Sequence, residues 1–430
     1  MSPTRSVAIS ANTKPGSSVT PETAAAYSLL NAQAVRDRAH RMLALGLDDK
    51  LPNFRVDLDR LEDAVDLVLS AMKENYPTLD VPFHSRWRHF VTWGFDRHAD
   101  LVEDFTDSTA RARSDFDLTI ISVLLDAGAG PQWRYHDPVT TGDLARSEGL
   151  AVASLNLFAR GDFSSRRGDG AKQLRVDADA LTNLDIATLR DGFQVTDDNP
   201  LVGLEGRADL LRSLGRLVSQ RPEVFALHDT PRPGGFFDHL VAKAQGGPIP
   251  APLILSELLL QFGPIWPSRL TLGGVPLGDC WRHPSLIMAD ATNGLVPLHK
   301  LSQWLAYSLI EPLQWAGFTV TDIDGLTGLA EYRNGGLFVD TGVLALRDPA
   351  EAMREHDVAS PLVVEWRALT VALLDRLAEA LRRRLDMDAI TLPLAKVLEG
   401  GTWAAGRQIA RDKRADGAPP IKVISDGTVF

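Results

Sequence analysis

SPLVVEWRALTVALLDRLAEALRRRLD, residues 360–386, decides the fold class, because it reads as the longest helix in the chain. Its Arg382, Arg383 and Arg384 read as a solvated end that suits the negative pole of the helix dipole. Outward from it the same patterning recurs. VPLHKLSQWLAYSLIEPLQWAG (296–317) sets Leu298, Leu301, Leu305 and Leu309 on one helix face. PETAAAYSLLNAQAVRDRAHRMLALG (21–46) reads as a helix closed by Gly46 as a C-cap. DLDRLEDAVDLVLSAMKENYP (57–77) carries Leu61, Val65, Leu67, Val68 and Met72 at helical spacing, and SDFDLTIISVLLDAGAG (114–130) reads as a buried helix ended by glycines. VDADALTNLDIATLRDGF (176–193) and EGRADLLRSLGRLVSQRPEVF (205–225) are two further amphipathic helices. Strands are few: LTLGGVPLG (270–278), GLFVDTGVLAL (336–346) and the closing PPIKVISDGTVF (419–430). The expectation is a mainly α fold. Residues 1–20, rich in Ser, Thr and Pro, read as a disordered tail, and 21–430 as one helical unit.

Charge narrows the function. With 45 basic and 56 acidic residues the net charge is -11, which argues against a nucleic-acid partner but leaves room for a local basic pocket. One cysteine, Cys280, excludes an intramolecular disulfide framework and fits a reducing compartment. The start lacks a signal-peptide core, and the best apolar run, APLILSELLLQF, is broken by Ser256 and Glu257. The expectation is a cytoplasmic protein with no membrane partner.

P-loop, dinucleotide-turn, nucleophile-elbow and zincin motifs are absent. Three polar constellations remain. In VPFHSRWRHFVTWGFDRHAD (81–100), His84, Arg86, Trp87, Arg88 and His89 suit stacking on a planar ligand or clamping of a phosphate or carboxylate. The competing reading is a surface helix start whose arginines pair with local acids. In the segment from Gly278 to Leu305, Asp279, Cys280, His283, Asp290 and His299 are plausible metal ligands, though their spacing fits no standard site. Satisfied loop polars are the simpler reading. There, His299 and Gln303 lie one helical turn apart beside Lys300, and a helix start so charged can receive an anion.

The third constellation is LTGLAEYRNGGLFVDTGVL (326–344), which sets Glu331, Tyr332, Arg333 and Asp340 in otherwise interior sequence. Burying an ion is costly unless it is paired or used. Arg333 simply neutralising Glu331 is the plain reading, whereas the following NGG leaves bare backbone where a ligand can approach.

FHSRWRHF (83–90), DAGAGPQWRY (126–135), VPLHKLSQWLAYSLIEPL and LTGLAEYRNGGLFVDTGVL together resemble the uracil-catabolism family of the URC pathway, long catalogued as a domain of unknown function. The likeness runs from about Asn31 to about Ala395. More distantly, VDADALTNLDIATLRDGF, NPLVGLEGRADLLRSLGRLV, VPLHKLSQWL and LTGLAEYR are similar to the queuosine salvage N-glycosidases. Those proteins have a DNA-glycosylase-like helical fold and release a base from a ribonucleoside 5'-phosphate. Their T-x-x-A-D-Y-R pattern matches Thr327, Ala330, Glu331, Tyr332 and Arg333, and their Lys and Gln match Lys300 and Gln303. Two departures point to a changed ligand: Glu replaces Asp, and an inserted segment around 245–295 precedes the helix.

The resemblance implies a DNA-glycosylase-like core and an N-ribohydrolase, with ribosylurea or its 5'-phosphate as substrate and no cofactor. Glu331 would stabilise the oxocarbenium-like state, with Tyr332, His299 or Asp340 assisting the leaving urea. Lys300, Gln303, Arg333, His84, Arg86, Trp87 and Arg88 would hold the substrate. The alternatives are a metal-dependent hydrolase using Cys280, His283, Asp290 and His299, and a non-catalytic nucleotide-binding regulator.

Overall fold

The computed structural model describes residues 20–126, 128–166, 174–266 and 270–424, so the expected disordered tail lies outside the described residues up to Thr20. The fold is mainly α. The helices that build the site and its support are α1 (Ala32–Leu47), α2 (Leu61–Asn75), α3 (Ser108–Leu124), α4 (Arg146–Ala159), α5 (Leu204–Gln220), α6 (Ala251–Phe262), α7 (Lys300–Trp315), α8 (Tyr332–Asp340), α9 (Pro361–Leu385) and α10 (Trp403–Lys413). Strands are two or three residues long, and every sheet among the described residues is two-stranded. No helix among the described residues is long and apolar enough to cross a membrane.

The long helix sits at the centre. Ser360 caps α9 through its side chain, and the helix is buried without interruption from Leu362 to Leu374. A helix buried on all sides needs neighbours all round, and its Glu365 and Arg367 need partners there as well. It packs against α1 on one side and α8 on another, while α7 packs against α3 and α6. Gly335 lets α8 close on α9: a side chain there would meet Trp366 and Thr370 at 2.8 Å. That corrects the reading of NGG as backbone bared for a ligand. Gly335 serves helix packing, and Gly336 lies against Pro420.

Other elements depart from their sequence reading. The first helical stretch breaks in two, because Asn31 caps α1 with its side chain after the helix Pro21–Ser28 ends. Gly46 lies inside α1 rather than capping it. VDADALTNLDIATLRDGF likewise divides into Ala178–Thr182 and Ile186–Gly192, the second capped by Asp185. The first half of GLFVDTGVLAL belongs to α8, and only Leu344–Leu346 forms a strand, paired antiparallel with Phe54–Val56. A strong N-cap upstream overrides the β-preference of Leu337, Phe338 and Val339. LTLGGVPLG does form a hairpin, Thr271–Leu272 with Val275–Pro276, and Lys422–Ile424 pairs with Glu355–Asp357.

Candidate active site

Three helix N-termini converge on one pocket. Lys300 is the first residue of α7, Glu331 is the N-cap of α8, and Arg146, Ser147 and Glu148 form the first turn of α4; all line it. The pocket encloses about 650 Å³ of empty space, its open mouth included. His84, His89 and Trp304 form one part of the wall, and Tyr332, Trp403 and Arg407 another. Lys300, Arg146, Arg333 and Arg407 outnumber the lining carboxylates Glu331 and Glu148, so the pocket favours an anion, although the starts of α7 and α8 are already met by Asp279 and Glu331. Arg146 also has φ +54°, a left-handed backbone that a non-glycine residue adopts only under constraint.

Glu331 is held as a cap. Its Oε2 accepts from the Arg333 N–H at 2.7 Å and its Oε1 from the Asn334 N–H at 2.6 Å. Burial pushes its carboxyl above the usual range, opposed by those two N–H groups and then by Lys300. The Arg333 guanidinium does not neutralise it as an ion pair. That group donates to the Gly417 carbonyl at 3.0 Å and lies over the Tyr332 ring at 4.9 Å.

Lys300 faces Glu331 across the pocket with its pKa lowered, burial being the main cause and Glu331 the main opposing charge. Among the described residues its ammonium has no hydrogen-bond or ion-pair partner. Its backbone is pinned instead: the Lys300 N–H donates to Asp279 Oδ2 at 2.9 Å. Burial would raise the Asp279 carboxyl, but Arg367, with help from Lys300 and Trp281, holds it down at about 2.

Gln303 is fully buried and joins α7 to the segment before α8 rather than facing the pocket; its amide donates to Thr327 Oγ1 at 2.6 Å. Tyr332, Arg333 and His84 do line the pocket. Several predicted residues do not. His299 is buried with Nε2 against the Leu29 carbonyl at 3.0 Å, and Asp340 is spent on a two-pronged pair with Arg414 at 2.8 and 2.6 Å. Arg86 is completely buried behind the wall, bonded to Ser122 Oγ at 2.7 Å and 3.4 Å from Asp126. Trp87 donates to the Ser308 carbonyl, and Arg88 pairs with Glu311 at 2.5 Å. Neither reading of this segment is met in full: its arginines do pair with acids, but Arg86 is buried and not at a surface, and the acids Asp126 and Glu311 come from distant elements and not from the segment itself.

The residues of the metal-ligand alternative are engaged separately. Cys280 is buried, His283 pairs with Glu365 at 3.1 Å, and Asp290 caps its own loop through the Thr292 N–H at 2.8 Å. Among the described residues no three His, Cys, Asp or Glu side chains form a group able to hold a metal ion.

Sequence reasoning missed Arg146, Glu148, Trp403 and Arg407. Trp403 and Arg407 carried a usable signal: they stand four apart on a helix, and Arg407 covers the Trp403 ring at 4.5 Å. Glu148, which lies 3.4 Å from Arg407, offered none, because only the fold brings the two together.

The molecule is thus a mainly α protein with a basic, carboxylate-bearing pocket at converging helix starts. Its residues 28–430 match the family described as "Protein of unknown function (DUF1688)", and the chain belongs to that family. It is 41% identical to "Protein urg3" of Schizosaccharomyces pombe over 94% of this chain and 98% of that protein. It is 38% identical to "Uracil catabolism protein 4" of Lachancea kluyveri over 88% and 92%, respectively.

Proposed function

We propose that this protein acts in uracil catabolism as an N-ribohydrolase, releasing urea from ribosylurea or its 5'-phosphate. The relative named for uracil catabolism supports the pathway. The observation that carries the chemistry is the placement of Glu331 and Lys300 in one basic pocket with aromatic walls.

Cleavage breaks the bond between the anomeric carbon and a urea nitrogen, and the electron pair leaves with urea, which takes up a proton. Positive charge builds on the anomeric carbon and ring oxygen. Glu331, fixed in place by two N–H groups, opposes that charge with no reorganisation at the moment of reaction. Water adds to the carbon and gives up a proton, for which Glu331, made more basic by burial, is the acceptor. Lys300, Arg333, Arg146 and Arg407 hold the anionic end of a phosphorylated substrate. Of the groups first considered for the leaving side, His299 and Asp340 are committed elsewhere and Tyr332 alone borders the pocket.

Incubation with ribosylurea, its 5'-phosphate, UMP and uridine, followed by assay of urea, free base and reducing sugar, tests this reading. Urea with an equal amount of ribose or ribose phosphate is expected. Tight binding without turnover would indicate a regulator, and uracil released from UMP or uridine a nucleosidase.

A further inference from the structure

The geometry points to His84 as the general acid that protonates the departing urea, oriented by Glu399. This rests on the N-ribohydrolase reading and adds the residue that reading leaves open. His84 Nδ1 meets Glu399 Oε2 at 2.8 Å, and the other carboxylate oxygen accepts from the Tyr76 hydroxyl at 3.3 Å. With Nδ1 committed, Nε2 is the nitrogen left for the pocket that His84 lines. The histidine backbone is fixed too, its N–H donating to the Ala395 carbonyl at 3.0 Å. Trp304 stacks on the ring at 6.4 Å between centroids. A proton-transferring imidazole, a carboxylate behind it and a third group holding the carboxylate are the recurring parts of an oriented acid or base.

Glu399 owes its position to a rare element. It lies in the π-helical turn Leu398–Thr402, which runs directly into α10, and such turns concentrate at functional sites. The neighbouring His89 lines the same pocket but is unsuited to the task, since burial and Arg86 push it down to about 3 and leave it neutral. Tyr332 is unsuited for the opposite reason: burial raises its hydroxyl, making it a weak acid. In the step proposed, Nε2–H of protonated His84 passes its proton to the urea nitrogen as the C–N bond breaks. Neutral His84 then regains a proton from solvent.

The test is the pH dependence of kcat on ribosylurea for the wild type, His84→Gln and Glu399→Gln, with thermal melting of each. Charged and titratable groups around His84 are Glu399, Tyr76, His89, Arg86 and Arg88, and the same pocket is lined by Lys300, Glu331, Arg146, Glu148, Tyr332, Arg333 and Arg407. Wild-type kcat should fall towards alkaline pH, because the acid must be protonated. His84→Gln should lower kcat by about 10²–10⁴-fold and remove that alkaline fall. Glu399→Gln, which keeps the hydrogen bond but not the charge, should move the fall to lower pH; it also carries the test alone if the His84 variant does not fold. A wild type without the alkaline fall, or a folded His84→Gln that retains it, overturns the assignment. A wild type that releases no urea at all overturns the hydrolase reading beneath it.

Discussion

Asp279 and Arg367 form a two-pronged buried ion pair, both contacts at 2.8 Å, that ties together the two halves of the pocket. The carboxylate also receives the Lys300 N–H at the start of α7, and the Asp279 carbonyl receives the N–H groups of Leu298 and His299 at 2.9 and 3.1 Å. The guanidinium also donates through Nε to the carbonyl of Ala330, the residue before Glu331, at 3.1 Å. Lys300 and Glu331, far apart in sequence, are therefore positioned by one pair of charges.

Breaking that pair should be felt in stability and in its pH dependence. Asp279→Asn removes the carboxylate charge that the buried Arg367 guanidinium is paired with, and breaking such a buried ion pair typically destabilises by about 3–5 kcal/mol. The wild-type carboxyl sits at about 2, below its ordinary value of 3.8. A depressed carboxyl gives stability that is present above the unfolded value and lost as pH falls from there towards 2. That contribution is on the order of 2 kcal/mol. Urea midpoints measured from pH 7 down to 2.5 should therefore fall less steeply for Asp279→Asn than for the wild type below pH 4. Parallel slopes would remove Asp279 from the account.

Arg86→Ala should behave as a stability mutant. Its guanidinium is bonded to Ser122 and lies near Asp126, so truncation leaves a buried carboxylate partly unpaired and removes packing beneath Trp304. A loss of about 3–5 kcal/mol is expected, with KM of the folded fraction nearly unchanged. A raised KM with an unaltered melting temperature would return Arg86 to the ligand.

The helices were legible because their signals are local. The periodicity of residues 360–386 needs no partner to be seen, and it produced α9 to within a residue at each end. Glu331 and Lys300 were legible through the motifs around them, since chemistry-bearing residues in apolar sequence stand out. The breaks at Asn31 and Asp185 were not, because a side-chain cap inside a long helical pattern competes with periodicity and only geometry decides between them. The positions of His299, Asp340 and Arg86 outside the pocket lining were not legible for another reason: their partners Leu29, Arg414 and Asp126 come from distant segments. Residue type announces that a polar group is buried. It does not announce which side of a wall the group occupies.

Arg407 supplies a test of phosphate recognition. It is partly buried in the pocket wall, stacked on Trp403 and steadied by Glu148. Arg407→Ala should lower kcat/KM for ribosylurea 5'-phosphate by roughly 10–100-fold, the worth of one charge-assisted hydrogen bond. Activity on unphosphorylated ribosylurea should change little. An equal loss on both substrates would place Arg407 in the architecture of the pocket and not on the phosphate.

Glu331→Gln separates capping from catalysis in one protein. The Gln side chain keeps one acceptor oxygen of the two that Glu331 offers to the Arg333 and Asn334 N–H groups, so the cap is weakened by about 1 kcal/mol and the fold survives. No ion pair with Arg333 is lost, since that guanidinium is bonded to the Gly417 carbonyl. On the proposed N-ribohydrolase reading, what disappears is the negative charge that opposes the developing oxocarbenium charge, and with it the acceptor of the water proton. Loss of such preorganised charge typically lowers kcat by about two to three orders of magnitude. KM should hold or improve, because the substrate carries no positive charge at that carbon until the transition state. Turnover and melting temperature measured on the same preparation decide the matter. A well-folded Gln variant with near-normal kcat would leave Glu331 as a helix cap alone.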